Sequence, residues 1–177
     1  MDTSSILKVL PAFSDFQPDE LEYLAARIEA GSFAEGAVLM QEGENSEVTH
    51  ILLRGVVEIR KRFGGQDVVV AELVAGSLLG EGGLLSAIPQ KTMAMAIAKT
   101  AVESLVIQRQ TLETAVTENP IVAFKLLRVI GLVLSKKLRL VNEAYVKLFM
   151  ENRGAGSTDE MKELQDLLAK EWALPES

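Results

Sequence analysis

The residues best suited to chemistry in this 177-residue sequence lie in one short run, Leu79-Gly80-Glu81-Gly82-Gly83-Leu84-Leu85. A glycine such as Gly80 lets backbone come close to a bound group. A short helix opening near Gly82 or Gly83 would aim unpaired N–H groups at an anion. Glu81 adds a carboxylate beside them. The chemistry of this set is recognition of a small anion rather than bond-making. Cysteine is absent, which removes disulfides, thiolate metal sites and cysteine nucleophiles. The single histidine, His50, lies in an apolar strand and reads as structural. With no nucleophile–base pair and no metal-ligating cluster, the expectation is a non-enzyme with no required cofactor.

Three zones position that run. Ile6, Val9 and Leu10 suggest a short helix ending at Pro11, and Leu21, Leu24, Ala25 and Ile28 recur at helical spacing after Pro18, with Gly31 as the stop. From Ser32 to Gln108, glycines punctuate short apolar stretches: Val38-Leu39-Met40, Ile51-Leu52-Leu53, Val56 to Ile59 and Val68-Val69-Val70. Arg62 to Asp67 reads as a hairpin tip around Gly64-Gly65. Ala94, Ala96 and Ala98 alternate with Met93, Met95 and Ile97, giving one strand a face of small residues. Short strands at this pitch predict a mainly β fold with flanking helices, a jelly-roll barrel.

The third zone is helical. A short helix spans Thr111 to Thr117, and Asn119-Pro120 opens a long one reaching about Met150. Along it Phe124, Leu127, Gly131, Leu134, Leu138, Val141, Tyr145 and Leu148 fall at spacings of three and four, a seam that favours a homodimer. Arg153-Gly154-Ala155-Gly156 reads as a linker. Ser157 with Glu160 forms a capping box for a last amphipathic helix carrying Leu164, Leu167, Leu168 and Trp172, a segment for its own domain or for a protein partner. The expected organisation is a helical segment over 1–30, the barrel with its long helix over 31–150, and a linker with tail helix over 151–177.

Charge narrows the partners. The formal net charge of −7 gives no electrostatic support for nucleic acid binding. No stretch approaches a membrane span and the N-terminus lacks a signal-peptide pattern, so a cytoplasmic location away from membranes is expected. Arg60-Lys61-Arg62 reads as a solvated face.

Two stretches resemble the cyclic nucleotide-binding domain family of bacterial activators, protein kinase A regulatory subunits and gated channels. The first is Leu39-Met40-Gln41-Glu42-Gly43-Glu44-Asn45-Ser46 with Ile51-Leu52-Leu53-Arg54-Gly55, similar to the family's early barrel signature. Ser46 stands where the family has Gly or Ala, and Thr49-His50 where it prefers bulky apolar residues. The second is Leu79 to Leu85, which resembles the phosphate-binding cassette. The resemblance implies a sensor for a cyclic mononucleotide, cAMP or cGMP, that signals through its C-terminal helix. It implies that Glu81 accepts a hydrogen bond from the ribose hydroxyl. The family also uses a cassette arginine on the cyclic phosphate. Depending on register, Gln90, Lys91 or Thr92 falls there; the alanine alternation favours Thr92, with Met93 next. None supplies a bidentate fork. A degenerate domain used for protein interaction or dimerisation, with no nucleotide, is the competing expectation. No helix-turn-helix follows the long helix, which argues against DNA binding.

Overall fold

The computed structural model describes residues 2–86 and 90–151. They fall in two units divided between Val133 and Leu134. The first opens with α1 (Thr3–Val9), a 3-10 turn (Pro11–Phe13) and α2 (Pro18–Ala25). Asp2 caps α1 by accepting from the Ser5 backbone N–H at 2.8 Å. At α2 the Gln17 side chain caps the first turn while Glu20 reaches back to the Gln17 N–H at 2.7 Å, with Pro18 in that turn. In α1 the buried residue is Leu7, whereas Val9, expected on the apolar face, is exposed. Gly31 does not stop α2, which has ended at Ala25; it lies in β1 (Glu29–Phe33). A Cβ there would come within 2.9 Å of both the Phe33 ring and the Ser104 hydroxyl, so the glycine makes room for packing rather than for a turn.

Two four-stranded antiparallel sheets follow. One has the order β1, β10 (Val102–Gln108), β4 (Val48–Arg54), β7 (Leu78–Leu79). The other runs β2 (Val38–Met40), β9 (Met95–Ala98), β5 (Val57–Phe63), β6 (Gln66–Leu73). A short ladder joins β3 (Asn45–Ser46) to β8 (Gln90–Lys91). This is the mainly β architecture with flanking helices that the glycine punctuation predicts. The β5–β6 hairpin turns at Gly64-Gly65, both at positive φ, the two-residue loop that matches strand twist.

The inner core draws on both sheets. Leu52, Val57, Leu79, Ala96, Ala98 and Val102 are buried together, with Phe33, Leu39, Met40, Ile59 and Leu73 packed against them. Ala96 and Ala98 are the small-residue face of β9. Their size keeps the two sheets close where larger side chains would not fit. On β10, Leu105 and Ile107 point to the opposite face and are also buried. Burying each such Leu or Ile contributes about 1.5–3 kcal/mol.

After β10 the chain enters α4 (Arg109–Glu118) and then α5 (Pro120–Glu151). Asn119 ends the first and caps the second, its side-chain oxygen accepting from Val122 N at 3.3 Å. Early in α5, Val122, Ala123, Leu126, Val129 and Ile130 are buried. Lys125 clips this part of the helix to the N-terminal segment, donating to the Asp15 carbonyl at 2.8 Å and pairing with Glu20 at 2.5 Å. Arg128 pairs with Asp15 on the same side. From Leu134 to Leu148 the seam residues are half-buried or exposed, Val141 at 64%. Of the linker and tail helix expected over 151–177, Glu151 is the last residue of α5 and the rest lie outside the described residues.

Candidate functional site

The glycine run forms α3 (Glu81–Leu85), entered directly from β7. It begins at Glu81, not at Gly82 or Gly83, because Gly80 takes φ +84° and turns the chain one residue earlier. Gly80 is fixed twice over. Only glycine adopts that φ at no cost, and a Cβ would meet the Val48 carbonyl at 2.5 Å and the Met40 thioether at 3.2 Å. Gly83 is constrained by space alone, since a Cβ would sit 2.7 Å from the Ser46 carbonyl. Gly82 differs: it is exposed and a Cβ there would meet nothing within 4 Å. Its missing side chain leaves the cassette backbone uncovered. Glu81 is the first helical residue and is half-buried, while Leu84 is buried beneath the helix.

Two residues to which the motif reading gave no part in the cassette hold it in place. The hydroxyl of Thr49, fully buried in β4, donates to the Gly80 carbonyl at 2.9 Å. Arg109, the first residue of α4 and buried, donates from Nε to the Gly83 carbonyl at 2.9 Å. Its Nη1 pairs with Glu47 at 3.0 Å, and its backbone N–H donates to the Glu47 carbonyl at 2.8 Å. Arg109 therefore ties the cassette helix, the β3–β4 connection and the start of the C-terminal helices into one unit. The sequence held one clue, an arginine at the strand-to-helix junction, but nothing in its spacing told it from a surface charge.

The candidates on the far side of the cassette are distributed differently. Lys91 is exposed on β8, opposite Asn45. Thr92 is bound into the turn after β2. Its hydroxyl donates to the Gln41 carbonyl and, at 3.2 Å, contacts the Glu44 carbonyl. Its backbone donates to Glu44 and accepts from Gly43, both at 2.9 Å. Thr92 thus spends its donor on the protein itself. Met93 is 81% exposed, so it does not fill core as its apolar character suggested. Arg60 of the basic run pairs with Glu58, while Lys61 and Arg62 are exposed. Among the described residues no three His, Asp or Glu side chains gather as a metal site, and no helix is long and apolar enough to cross a membrane.

His50 lies on the inner wall, one strand over from the cassette entry, its Cα paired with Leu79 and with Val106. Its Nδ1 is 3.2 Å from the Ser104 hydroxyl, its ring meets Phe33 edge-on, and Nε2 is buried without a partner. Burial pushes the imidazole below its ordinary value of 6.5. The folded state therefore prefers neutral His50, and its contribution is fully present above pH 6.5. Below that, the unfolded chain takes up a proton that the folded one resists, and stability falls toward the lowered folded value. The slope cannot exceed about 1.4 kcal/mol per pH unit for one group. Urea midpoints measured at pH 7.5 and 5.5 should differ in the wild type and differ much less in His50→Leu. Equal pH sensitivity in both proteins would reject the assignment. Glu20 does not confuse this window. Its burial would raise the carboxyl, but Lys125 and the Gln17 N–H hold it below its ordinary 4.5, so its stability is lost only at more acid pH.

The comparisons with known proteins agree with this geometry. The family described as cyclic nucleotide-binding domain matches residues 31–119. A curated relative, the cyclic AMP receptor protein of Thermus thermophilus, is 25% identical over 134 residues. That alignment covers 75% of this chain, and the chain spans 59% of the relative's length. Among solved structures, a cyclic nucleotide-binding domain from Methylobacillus flagellatus superposes with a TM-score of 0.71 at 21% identity, covering 89% of this chain and 85% of that one. The regulatory domain of Toxoplasma gondii PKA, crystallised with cAMP, gives 0.60 at 24% identity, over 77% of this chain and 48% of that one. These likenesses establish the fold, and the match across half the chain establishes the family: this protein belongs to the cyclic nucleotide-binding domain family.

Proposed function

We propose that the chain is a regulatory module that binds a cyclic mononucleotide, cAMP or cGMP, at the cassette and passes the signal through its C-terminal helix. The observation that carries this reading is the cassette's own geometry. Gly80 turns at positive φ, Glu81 stands at the helix start, and the backbone at Gly82 is uncovered. Arg109 supplies the route outward, because it joins the Gly83 carbonyl to the first turn of α4. In this reading Glu81 receives the ribose hydroxyl, the backbone of Gly82, Gly83 and Leu84 meets the phosphate, and Lys91 with Thr92 and Met93 lies at its far side. Signalling passes to a second copy through the α5 seam, at Leu127, Leu134, Leu138, Val141 and Tyr145, or to a protein partner. Nucleic acid and membrane have no part in it, and the location is cytoplasmic.

One observation favours a second reading, a degenerate domain that keeps the fold for protein interaction or dimerisation. The Thr92 hydroxyl is already engaged by the Gln41 and Glu44 carbonyls. A phosphate would then have no bidentate partner, a loss of about 1.5–3 kcal/mol for one charge-assisted pair. Calorimetric titration of wild type, Glu81→Ala and Thr92→Arg with cAMP and cGMP separates the readings. The sensor reading expects saturable wild-type binding, weakened about tenfold or more by Glu81→Ala and strengthened by Thr92→Arg. No saturable wild-type binding at millimolar nucleotide would exclude both ligands and leave the degenerate reading. Tight binding unchanged by Glu81→Ala would displace the site.

A further inference from the structure

The geometry points to a second ligand site, for the zwitterion of a free α-amino acid, in a cleft beside the ends of β1, β4 and β10. The cleft forms where the turn at Gly55 meets the turn at Thr100-Ala101, and it offers about 430 Å³, the size of a small-molecule site. It shares no residue with the cassette, and nothing about it depends on what the cassette binds. The two turns are held close. Gly55 takes φ +88°, and a Cβ there would collide with the Ala101 carbonyl. The Thr100 hydroxyl oxygen accepts from the Val56 N–H at 3.0 Å, which fastens one turn to the other. Buried Val102 gives the cleft an apolar wall.

Two charges line this cleft in register. Arg54 of β4 is the partner of Glu103 on β10, and Ser32 of β1 is the partner of Glu103 on its other side. A bulge aims the arginine. Glu103 pairs with Arg54 while the next residue, Ser104, pairs with Leu52, so Leu53 is the extra residue of β4. Strict alternation from Leu52, buried in the inner core, would turn position 54 toward that core. The extra residue brings Arg54 round to the side of Glu103. Opposite charges facing each other across an antiparallel pair, with Cα atoms about 4.5–5.5 Å apart, ordinarily join. These do not: among the described residues neither side chain has an ion-pair or hydrogen-bond partner. The cleft therefore presents an exposed guanidinium and an exposed carboxylate side by side. A simple anion meets the repulsion of Glu103, and a simple cation that of Arg54. A molecule carrying both charges one carbon apart satisfies both groups. Its carboxylate takes the arginine fork and its ammonium donates to Glu103, which leaves Ala101 and Val102 for its side chain.

Amide NMR of the isotope-labelled full-length protein reads the cleft directly. The common L-amino acids are titrated one at a time, and at least one should move the Gly55 and Ala101 amides saturably. N-acetylation or amidation of that amino acid removes one of its two charges and should weaken binding about tenfold or more, the loss of one charge-assisted hydrogen bond. Arg54→Gln and Glu103→Gln should each weaken it as much, with the circular dichroism of the fold kept, since both side chains are exposed. No saturable shift from any of the amino acids at tens of millimolar would overturn the proposal. So would an acetylated or amidated form that binds as well as the free amino acid, which would leave a site for a lone anion or cation. Binding unchanged by both substitutions would place the ligand elsewhere and overturn it equally.

Discussion

Arg109→Ala is expected to cost about 2–3 kcal/mol of folding stability, a charge-assisted hydrogen bond together with the packing of a long buried stem. The side chain is only 8% exposed, and it is the charged donor on the Gly83 carbonyl. Without it that carbonyl loses its partner in a place water reaches poorly. Glu47 loses less, because its own side chain is 56% exposed and returns to solvent. Glu47→Gln should accordingly cost no more than about 1 kcal/mol, as exposed ion pairs do. Arg109→Lys keeps the charge but not the fork that serves Gly83 and Glu47 together, so it should fall between the two. A loss of about 2 kcal/mol lowers the melting temperature by roughly 4–8 °C in a chain of this size. Hydrogen exchange gives the local readout: amides of residues 81–85 should exchange faster in Arg109→Ala, while those of α2 should not. Uniform acceleration across both regions, or a melting temperature within a degree of wild type, would remove Arg109 from its role as the cassette's anchor.

The layout of the barrel was readable because its punctuation is local. Gly55, Gly64, Gly65, Gly76 and Gly80 all adopt positive φ, and each marks a turn or a strand end. The alanine alternation in β9 was readable for a similar reason, since a period of two exposes one face. Gly31 misled because a glycine's purpose depends on its neighbours in space. It looked like a helix stop, but it is demanded by Phe33 and by Ser104, seventy-three positions away. The start of α3, expected near Gly82 or Gly83, was misplaced by one or two residues on the same account, since Gly80's left-handed turn came out of its fit against Val48 and Met40.

The candidate site was legible as a loop and much less so as a network. The cassette's sequence names Gly80, Glu81 and Gly83, and their conformations follow from sterics alone. Thr49 and Arg109 act through single hydrogen bonds to carbonyls thirty-one and twenty-six positions away, and no periodicity records such pairings. Thr92 shows the converse. Strand alternation put it in the arginine's place, yet its hydroxyl serves the turn at Gln41 and Glu44. Register fixes which side of a strand a residue occupies, but not which donor or acceptor its side chain finds.

Leu138→Glu is expected to convert a dimer into a monomer. Among the described residues of α5 beyond Leu134 the seam's side chains are half-buried or exposed, Leu138 at 52% and Tyr145 at 44%. An isolated helix of that length is marginal in water, so tertiary or intersubunit packing must hold it. Each seam leucine that leaves water on association contributes about 1.5–3 kcal/mol, once per copy. A glutamate at position 138 would bury an unpaired charge on both copies and reverse that gain. Gly131 supports the same conclusion independently. It is exposed inside a helix, where glycine costs about 1 kcal/mol relative to alanine, and a Cβ there would meet nothing within 4 Å. Among the described residues nothing in the single chain requires it. Between Leu127 and Leu134 on the proposed seam, it would let two helix backbones approach. Gly131→Ala should then raise the melting temperature of a Leu138→Glu monomer while weakening association of the otherwise wild-type chain. Multi-angle light scattering across a dilution series reads both effects. A monomeric wild type at tens of micromolar would end the dimer reading, and tighter association of Gly131→Ala would move the crossing point away from this glycine.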